Sequence, residues 1–229
     1  MPTVKRIICL ANSRKMNDRC IAGKDLSTGA QSAQWIRPVS TREPDGISQK
    51  ERQYADGSEP CPLDIIDIGL TRAKPTTYQQ ENWLLDPGRR WVKVGQALWD
   101  HLEGITEPAQ PLWINNHNTY NGLNDQIPLP LAETLTCSLR LIRISQLVLS
   151  VFAPGAAFSN PKRRVQGRFR YQGTDYWLWV TDPIYEQRYL EMPNGNYTLN
   201  ECLLTISLSE PHNSACYKLI AAIIEQAEG

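Results

Sequence analysis

The chain has 229 residues, and its 24 basic and 24 acidic side chains give a formal net charge of zero. This length fits one large domain or two small ones. An apolar fraction of 41% together with 16 prolines and 14 glycines is typical of a folded, turn-rich protein and excludes a largely disordered chain.

The cysteines and apolar runs exclude several further classes. The six cysteines are scattered without a CxxC pair, so neither a zinc knuckle nor a redox motif is present in the sequence. The apolar run Ile7 to Ala11 is too short for a signal peptide, and no stretch approaches the ~20 apolar residues of a membrane helix. We therefore expect a soluble cytoplasmic protein without metal, cofactor or membrane partner.

The first half of the chain alternates short strand patterns with turns. Strands are predicted at residues 4–11, 20–23, 35–40, 64–71, 78–85 and 90–94. A polar stretch over 41–62 predicts a long loop. Leu98 and Leu102, four residues apart, predict a short helix over 96–102 that ends at Gly104.

The second half begins with a Pro/Asn-rich connection over residues 106–130, and we place the domain junction inside it, with domains at 1–125 and 126–229. Strands are then predicted at residues 138–144, 147–152, 165–171, 176–181 and 202–208. Asp182 as N-cap and Pro183 at the first position predict a helix over 183–190. Residues 216–228 fit strand, helix, or strand running into helix.

This inventory of about ten strands and two or three short helices, in two groups, indicates a mainly β protein with two tandem small Greek-key barrels. A single larger barrel or sandwich is the alternative.

Charge is unevenly distributed along the neutral chain. Residues 134–174 contain no Asp or Glu, whereas residues 175–229 carry eight acids against two basic residues. The basic residues of the first stretch are Arg140, Arg143, Lys162, Arg163, Arg164, Arg168 and Arg170. Such a segment is typical of a polyanion-binding surface, with a solvated sheet face as the alternative.

A β-hairpin is predicted within this positive segment, with its turn at residues 172–175. Alternation places Arg168 and Arg170 on one face of the first strand, and Trp177 and Trp179 on one face of the second. Periodicity does not say whether the Trp pair faces the core or the surface. The candidate nucleic-acid contacts here are Lys162, Arg163, Arg164, Arg168, Arg170, Tyr171, Trp177 and Trp179.

Two further groups of candidate contacts lie near the N-terminus. The cations around the first predicted turn are Arg14, Lys15, Arg19 and Lys24, and we expect them to follow a phosphate backbone. Trp35 and Arg37 share one side of a strand and would form a stacking surface. The alternative is that Trp35 is buried and Arg37 pairs with an acid such as Asp64 or Asp67.

An enzymatic reading rests on a dispersed metal site formed by Asp64, Asp67, Glu81 and Lys93, as in a nuclease. No compact acid pair followed by Glu-x-Lys supports it. The sequence also lacks a P-loop, GxGxxG, nucleophile-elbow serine and HExxH, the motifs that hold phosphates, nucleophiles or zinc.

The order of several stretches resembles the dual OB-containing domain family, found mainly in bacteria. These stretches are Ala11–Lys15, Cys20–Gly23, Trp35–Ser40, Asp64–Ile68, Tyr78–Asn82, Val180–Pro183 and Cys216–Ala221. The resemblance implies two OB folds in tandem that bind nucleic acid, in some cases as an accessory of antiviral defence. It carries over no catalytic residues.

The sequence therefore predicts a non-catalytic module that binds nucleic acid, with single-stranded DNA or RNA as the favoured ligand. Two alternatives remain open: a protein-interaction or scaffold module for an acidic partner, and a metal-dependent nucleic-acid enzyme.

Overall fold

The computed structural model describes residues 2–27, 29, 33–43 and 45–226. Contacts divide the chain into two compact units. The first runs to Thr106 and also includes Thr136–Ser138, and the second comprises Glu107–Leu135 and the chain from Leu139 onwards. Residues 107–125, which the sequence assigned to the first domain, thus pack with the second unit, because Leu112 is buried in that unit's core.

The first unit is a strand-rich barrel. Its elements are β1 (Thr3–Lys15), β2 (Asp18–Asp25), β3 (Trp35–Val39), α1 (Gln49–Arg52), β4 (Asp64–Ala73), β5 (Asn82–Leu85), β6 (Val92–Gln96) and a 3₁₀ helix at Trp99–Ile105. Strand β1 pairs with both β2 and β4, so the order β1-β2-β3-β5-β4 closes into a ring, with β3 and β5 parallel and β6 added to β4. This Greek-key barrel has the architecture of an OB fold.

Alternating side chains of these strands fill the interior of the first barrel. They include Ile7, Cys9, Ile21, Ile36, Ile66, Ile68 and Leu70. Because side chains alternate across a strand, the intervening residues, among them Trp35 and Arg37, point to the outside of the barrel.

The second unit contains a similar set of strands. Its elements are β7 (Gln126–Pro128), α2 (Leu129–Ala132), β8 (Leu139–Ile144), β9 (Leu147–Phe152), a 3₁₀ helix at Ala156–Phe158, β10 (Arg164–Tyr171), β11 (Thr174–Val180), α3 (Pro183–Leu190), β12 (Gly195–Leu199), β13 (Cys202–Leu208) and β14 (Ala215–Glu225).

The strand order of the first barrel recurs here. Strands β9, β10 and β11 form an antiparallel meander, and β11 runs parallel to β14. Strand β12 pairs with β9, whereas β13 pairs with β14. Since the two residues Asn200 and Glu201 link β12 to β13, these strands together take the place of the fourth barrel strand. Strands β7 and β8 are additions that pair with β14 and β13.

A glycine allows β10 to pack closely against its neighbours inside this barrel. A Cβ atom on Gly167 would lie 2.3 Å from Cδ1 of Ile220 and 3.1 Å from Cδ1 of Leu147. Glycine inside a strand commonly marks such a close approach.

The fold class predicted from the sequence, mainly β with two tandem OB-like barrels, is confirmed. Several details differ. Strand β1 continues through Lys15, the helix predicted over 96–102 is a 3₁₀ helix at Trp99–Ile105, and β12 was not predicted. The C-terminal pattern, left open by periodicity, is the strand β14, because it pairs with β13 along most of its length.

Among the described residues, no helix has the length and apolar character needed to cross a bilayer.

Candidate nucleic-acid interface

The predicted hairpin of the positive segment is formed by β10 and β11. Gln172 and Gly173 connect them with φ angles of 49° and 75°, the positive values that a two-residue type I′ turn requires at both positions. In the resulting antiparallel register, Arg168 lies opposite Trp177, and Gln166 lies opposite Trp179.

The two faces of this hairpin differ in chemistry. Facing the core of the second barrel are Val165, Phe169, Tyr171, Tyr176, Leu178 and Val180. Arg168, Trp177 and Trp179 are on the opposite, outer face, and Trp177 keeps 38% of its surface exposed. The Trp pair therefore belongs to the surface and not to the core.

Arginines and rings stack against one another on this outer face. The guanidinium carbon of Arg168 lies 4.5 Å from the ring centre of Trp177, and that of Arg164 lies 4.0 Å from the ring centre of Trp179. Phe152 at the end of β9 contacts Trp179, with ring centres 5.8 Å apart. We call these five residues the stacking face. Its flat, half-exposed groups offer both positive charge and ring surface.

A buried glutamine, Gln166, forms hydrogen bonds with a residue of the stacking face and with a neighbouring loop. Gln166 is fully buried, its Nε2 donates to the carbonyl of Asn121 at 2.6 Å, and its Oε1 accepts from Nε of Arg168 at 3.0 Å. One amide thus binds both the guanidinium of Arg168 and the backbone of Asn121, and it fixes Arg168 in its position beside Trp177. Sequence alternation pointed to Arg168 but missed Gln166, which carries no charge and no ring.

The chain matches the model of the dual OB-containing domain over residues 5–223. It belongs to this family. No curated protein and no solved structure matches the chain. OB folds bind oligonucleotides and oligosaccharides on the face of their second and third strands and in adjacent loops. In the second OB domain these strands are β10 and β11, so the stacking face occupies that surface.

Other cations of the positive segment have separate roles in the second OB domain. Arg143 pairs with Glu201 at 2.8 Å, and Arg170 pairs with Asp175 at 3.1 Å. Arg163 donates to the carbonyls of Leu190, the last residue of α3, and of Met192 just beyond it. Such bonds from a basic side chain stabilise the C-terminus of a helix. Lys162 is exposed in the loop before β10. Glu201 and Asp175 thus neutralise part of the positive segment. Arg168, in contrast, contacts Gln166 and the rings of Phe152 and Trp177.

Tyr171 lies apart from the other predicted contacts of the hairpin. It lies on the inner face of β10 with 8% of its surface exposed, and burial raises the pKa of its phenol. Tyr171 is one residue out of phase with the outward-facing Arg168 and Arg170, and it therefore packs against the core.

The corresponding surface of the first OB domain is covered by its own chain. Arg37 is buried, with Nη2 3.2 Å from Oε1 of Glu81 and 2.8 Å from Oγ of Ser138. Lys24 is also buried, donates to the carbonyl of Ile105 at 2.5 Å and lies 5.4 Å from the ring centre of half-buried Trp35. Arg37 and Lys24 are therefore structural here, and the acid that pairs with Arg37 is neither Asp64 nor Asp67.

The remaining N-terminal cations lie around the β1–β2 turn. Arg14 is exposed and lies opposite Arg19 in the register, whereas Lys15 forms an ion pair with Asp45. The structure thus leaves Arg14 and Arg19 as neighbours at the end of this hairpin, without bringing Lys24 or Arg37 to them.

The acids of the enzymatic alternative are each held by a different cation. Asp64 lies 2.6 Å from Nζ of Lys93 and accepts from Tyr54, while a hydrogen bond from Arg6 lowers the pKa of Asp67. Glu81 pairs with Arg37. Within the described part of the chain, no three His, Cys, Asp or Glu side chains are placed to hold a metal ion.

Proposed function

We propose that the second OB domain binds single-stranded nucleic acid on the stacking face, without chemical conversion of its ligand. The observation that carries this proposal is the pair of Arg–Trp stacks on the outer face of the second and third OB strands. Bases would stack on Trp177 and Trp179, and Arg164 and Arg168 would contact the backbone phosphates.

The chemistry of the stacking face favours a single strand over a duplex. Rings that lie on a sheet bind bases through their flat faces, and each stacked base contributes ~1–3 kcal/mol. In a duplex these faces are already covered by neighbouring bases, so the rings of Trp177 and Trp179 would have nothing to stack on.

The charge distribution predicts a modest dependence of binding on salt. The chain is neutral overall, so attraction at long range is weak. If two or three cations such as Lys162, Arg164 and Arg168 each contact a phosphate, the slope of log K against log salt would be about −1.4 to −2.1 for a single strand.

Fluorescence anisotropy with labelled single-stranded DNA and RNA, at several salt concentrations, tests this proposal. We expect binding at low salt that weakens as salt rises, and Trp177→Ala should raise Kd by about five-fold or more, while Trp177→Phe retains most of the affinity. Arg143→Gln is the matched control, because it removes one charge from an exposed ion pair away from the face. No binding at low salt would overturn the proposal.

The same experiment distinguishes a module that binds an acidic protein. Such a partner would contact the cations without stacking on the Trp rings. In that case the protein would bind neither single-stranded DNA nor single-stranded RNA. An accessory role in antiviral defence remains a prediction from the family resemblance, and a cytoplasmic location remains a prediction from the cysteine pattern and the short apolar runs.

A further inference from the structure

Two highly exposed aromatic rings contact each other beside the stacking face. Tyr120 has 89% and Phe158 has 73% of its surface exposed, and their ring centres are 6.5 Å apart at an interplanar angle of 73°. An edge-to-face pair leaves ring surface open to a third flat group. Neither residue belongs to the strands of the barrel.

The backbone that carries Tyr120 is held in place on both sides. The carboxylate of Asp125 accepts from the amide of Thr119 at 2.7 Å and from its hydroxyl at 2.5 Å, and Gln166 binds the carbonyl of Asn121. The exposed ring is therefore presented from a fixed position.

The same segment is also tied to the barrel. Nζ of the buried Lys218 donates to the carbonyl of Ile114 and to Oδ1 of Asn115, both at 2.8 Å. The backbone of Leu123 pairs with that of Trp177. These bonds place residues 114–125 along the edge of the stacking face.

Phe158 is presented from the loop that joins β9 to β10. Its amide donates to the carbonyl of Gly155 at 2.9 Å, and the amide of Asn160 donates to the same carbonyl at 2.9 Å, which closes the loop. This loop starts after Phe152 and ends at Arg164, so both of its ends lie in the stacking face.

We infer that Tyr120 and Phe158 form a second stacking station, which takes one unpaired nucleobase of the strand that lies on the stacking face. The inference rests on the proposed function and extends it. Continuity of both loops with the stacking face, and the adjacent cations Lys162 and Arg164, favour a nucleic-acid base over an apolar peptide side chain. Only an unpaired or terminal base has a free face to offer, so the station selects single strands.

The test uses the full chain and single-stranded DNA that carries one 2-aminopurine, a base whose fluorescence falls when it stacks. Tyr120→Ala and Phe158→Ala should each raise Kd by about five-fold or more and reduce the quenching at the bound position. Ile184→Ala is the matched control, since it removes another highly exposed apolar side chain, on α3 of the same domain. This control should bind and quench as the wild type does.

A blunt duplex of the same length serves as the second probe, and thermal unfolding of each variant checks that folding is unchanged. Unaltered single-strand Kd and quenching in both loop variants, while Trp177→Ala weakens binding, would overturn the inference and leave the proposed function standing. An equal rise in Kd for single strand and duplex in these two variants would also overturn the inference, because the loss of affinity would then not come from base stacking. If the wild type binds neither probe, the proposed function fails and the station fails with it.

Discussion

Arg168 lies directly opposite Trp177 in the β10–β11 register, and its guanidinium carbon is 4.5 Å from the centre of the indole ring. The contact joins a cation and a flat ring on one side of the sheet, and the proposed binding of a single strand depends on these two groups. Substitutions of Arg168 that remove either the planar group alone or the planar group and the charge together therefore show which of these properties contributes to the proposed binding.

We expect Arg168→Lys and Arg168→Gln to weaken single-strand binding in different ways. Lysine keeps the charge but loses the planar stack, so Kd should rise while the salt slope stays unchanged. Glutamine also loses the charge, so the slope should become shallower by about 0.7. Anisotropy titrations over a salt series measure both, with Arg143→Gln as the control. Identical slopes for the lysine and glutamine variants would show that Arg168 does not contact a phosphate.

Replacing Arg37 is expected to affect stability and not binding. Because the partner Glu81 is buried with it, Arg37→Met should lower the free energy of unfolding by about 3–5 kcal/mol. The double variant Arg37→Met/Glu81→Leu should recover much of this loss, since no uncompensated charge remains buried. Urea denaturation gives both values. A weaker affinity of the folded Arg37→Met protein for nucleic acid would contradict a purely structural role.

The buried Lys218 is expected to make stability depend on pH. Burial lowers its pKa to about 7 from the ordinary 10.5, so between these values the unfolded chain holds a proton that the folded protein has lost. Stability therefore rises with pH above about 7, because the unfolded state binds more protons there.

Comparison with Lys218→Met isolates this effect from the other titrating groups. Between about pH 7 and pH 8.5, wild type should gain on the order of 1–2 kcal/mol of unfolding free energy relative to the variant. Urea denaturation at several pH values measures the difference, and parallel curves for the two proteins would count against it.

Asp182 is expected to stabilise the second barrel through two contacts at once. Its Oδ1 accepts from the amides of Ile184 and Tyr185 at the start of α3, and its Oδ2 accepts from the amide of Ile223 in β14. Asp182→Ala should therefore lower the free energy of unfolding by about 2–3 kcal/mol. Asp182→Asn keeps an acceptor for the helix amides and should therefore lower the free energy of unfolding by less than the alanine variant does. A loss below about 0.5 kcal/mol in the alanine variant would mean that neither contact matters.

Local patterns were sufficient where short-range chemistry decides the outcome. Residues 172–175 between two alternating segments predicted the hairpin, whose turn in the structure is Gln172-Gly173. Asp182-Pro183 predicted the start of α3. Both succeeded because turns and caps depend on residues a few positions apart. Strand β12 escaped prediction because Gly195 and Asn196 weaken its pattern, and its stability comes from pairing with β9.

By itself, the sequence determined the mainly β class and the set of residues that alternate together on β10 and β11, and it favoured tandem barrels over a single larger one. Only the tertiary structure decided that Trp177 faces outward, that Tyr171 and Arg37 are buried, and that Tyr120 meets Phe158. The physical reason is that a period of two sorts side chains onto two faces without saying which one the closed barrel encloses. Which face is covered depends on segments far away in the chain, and no local pattern contains that information.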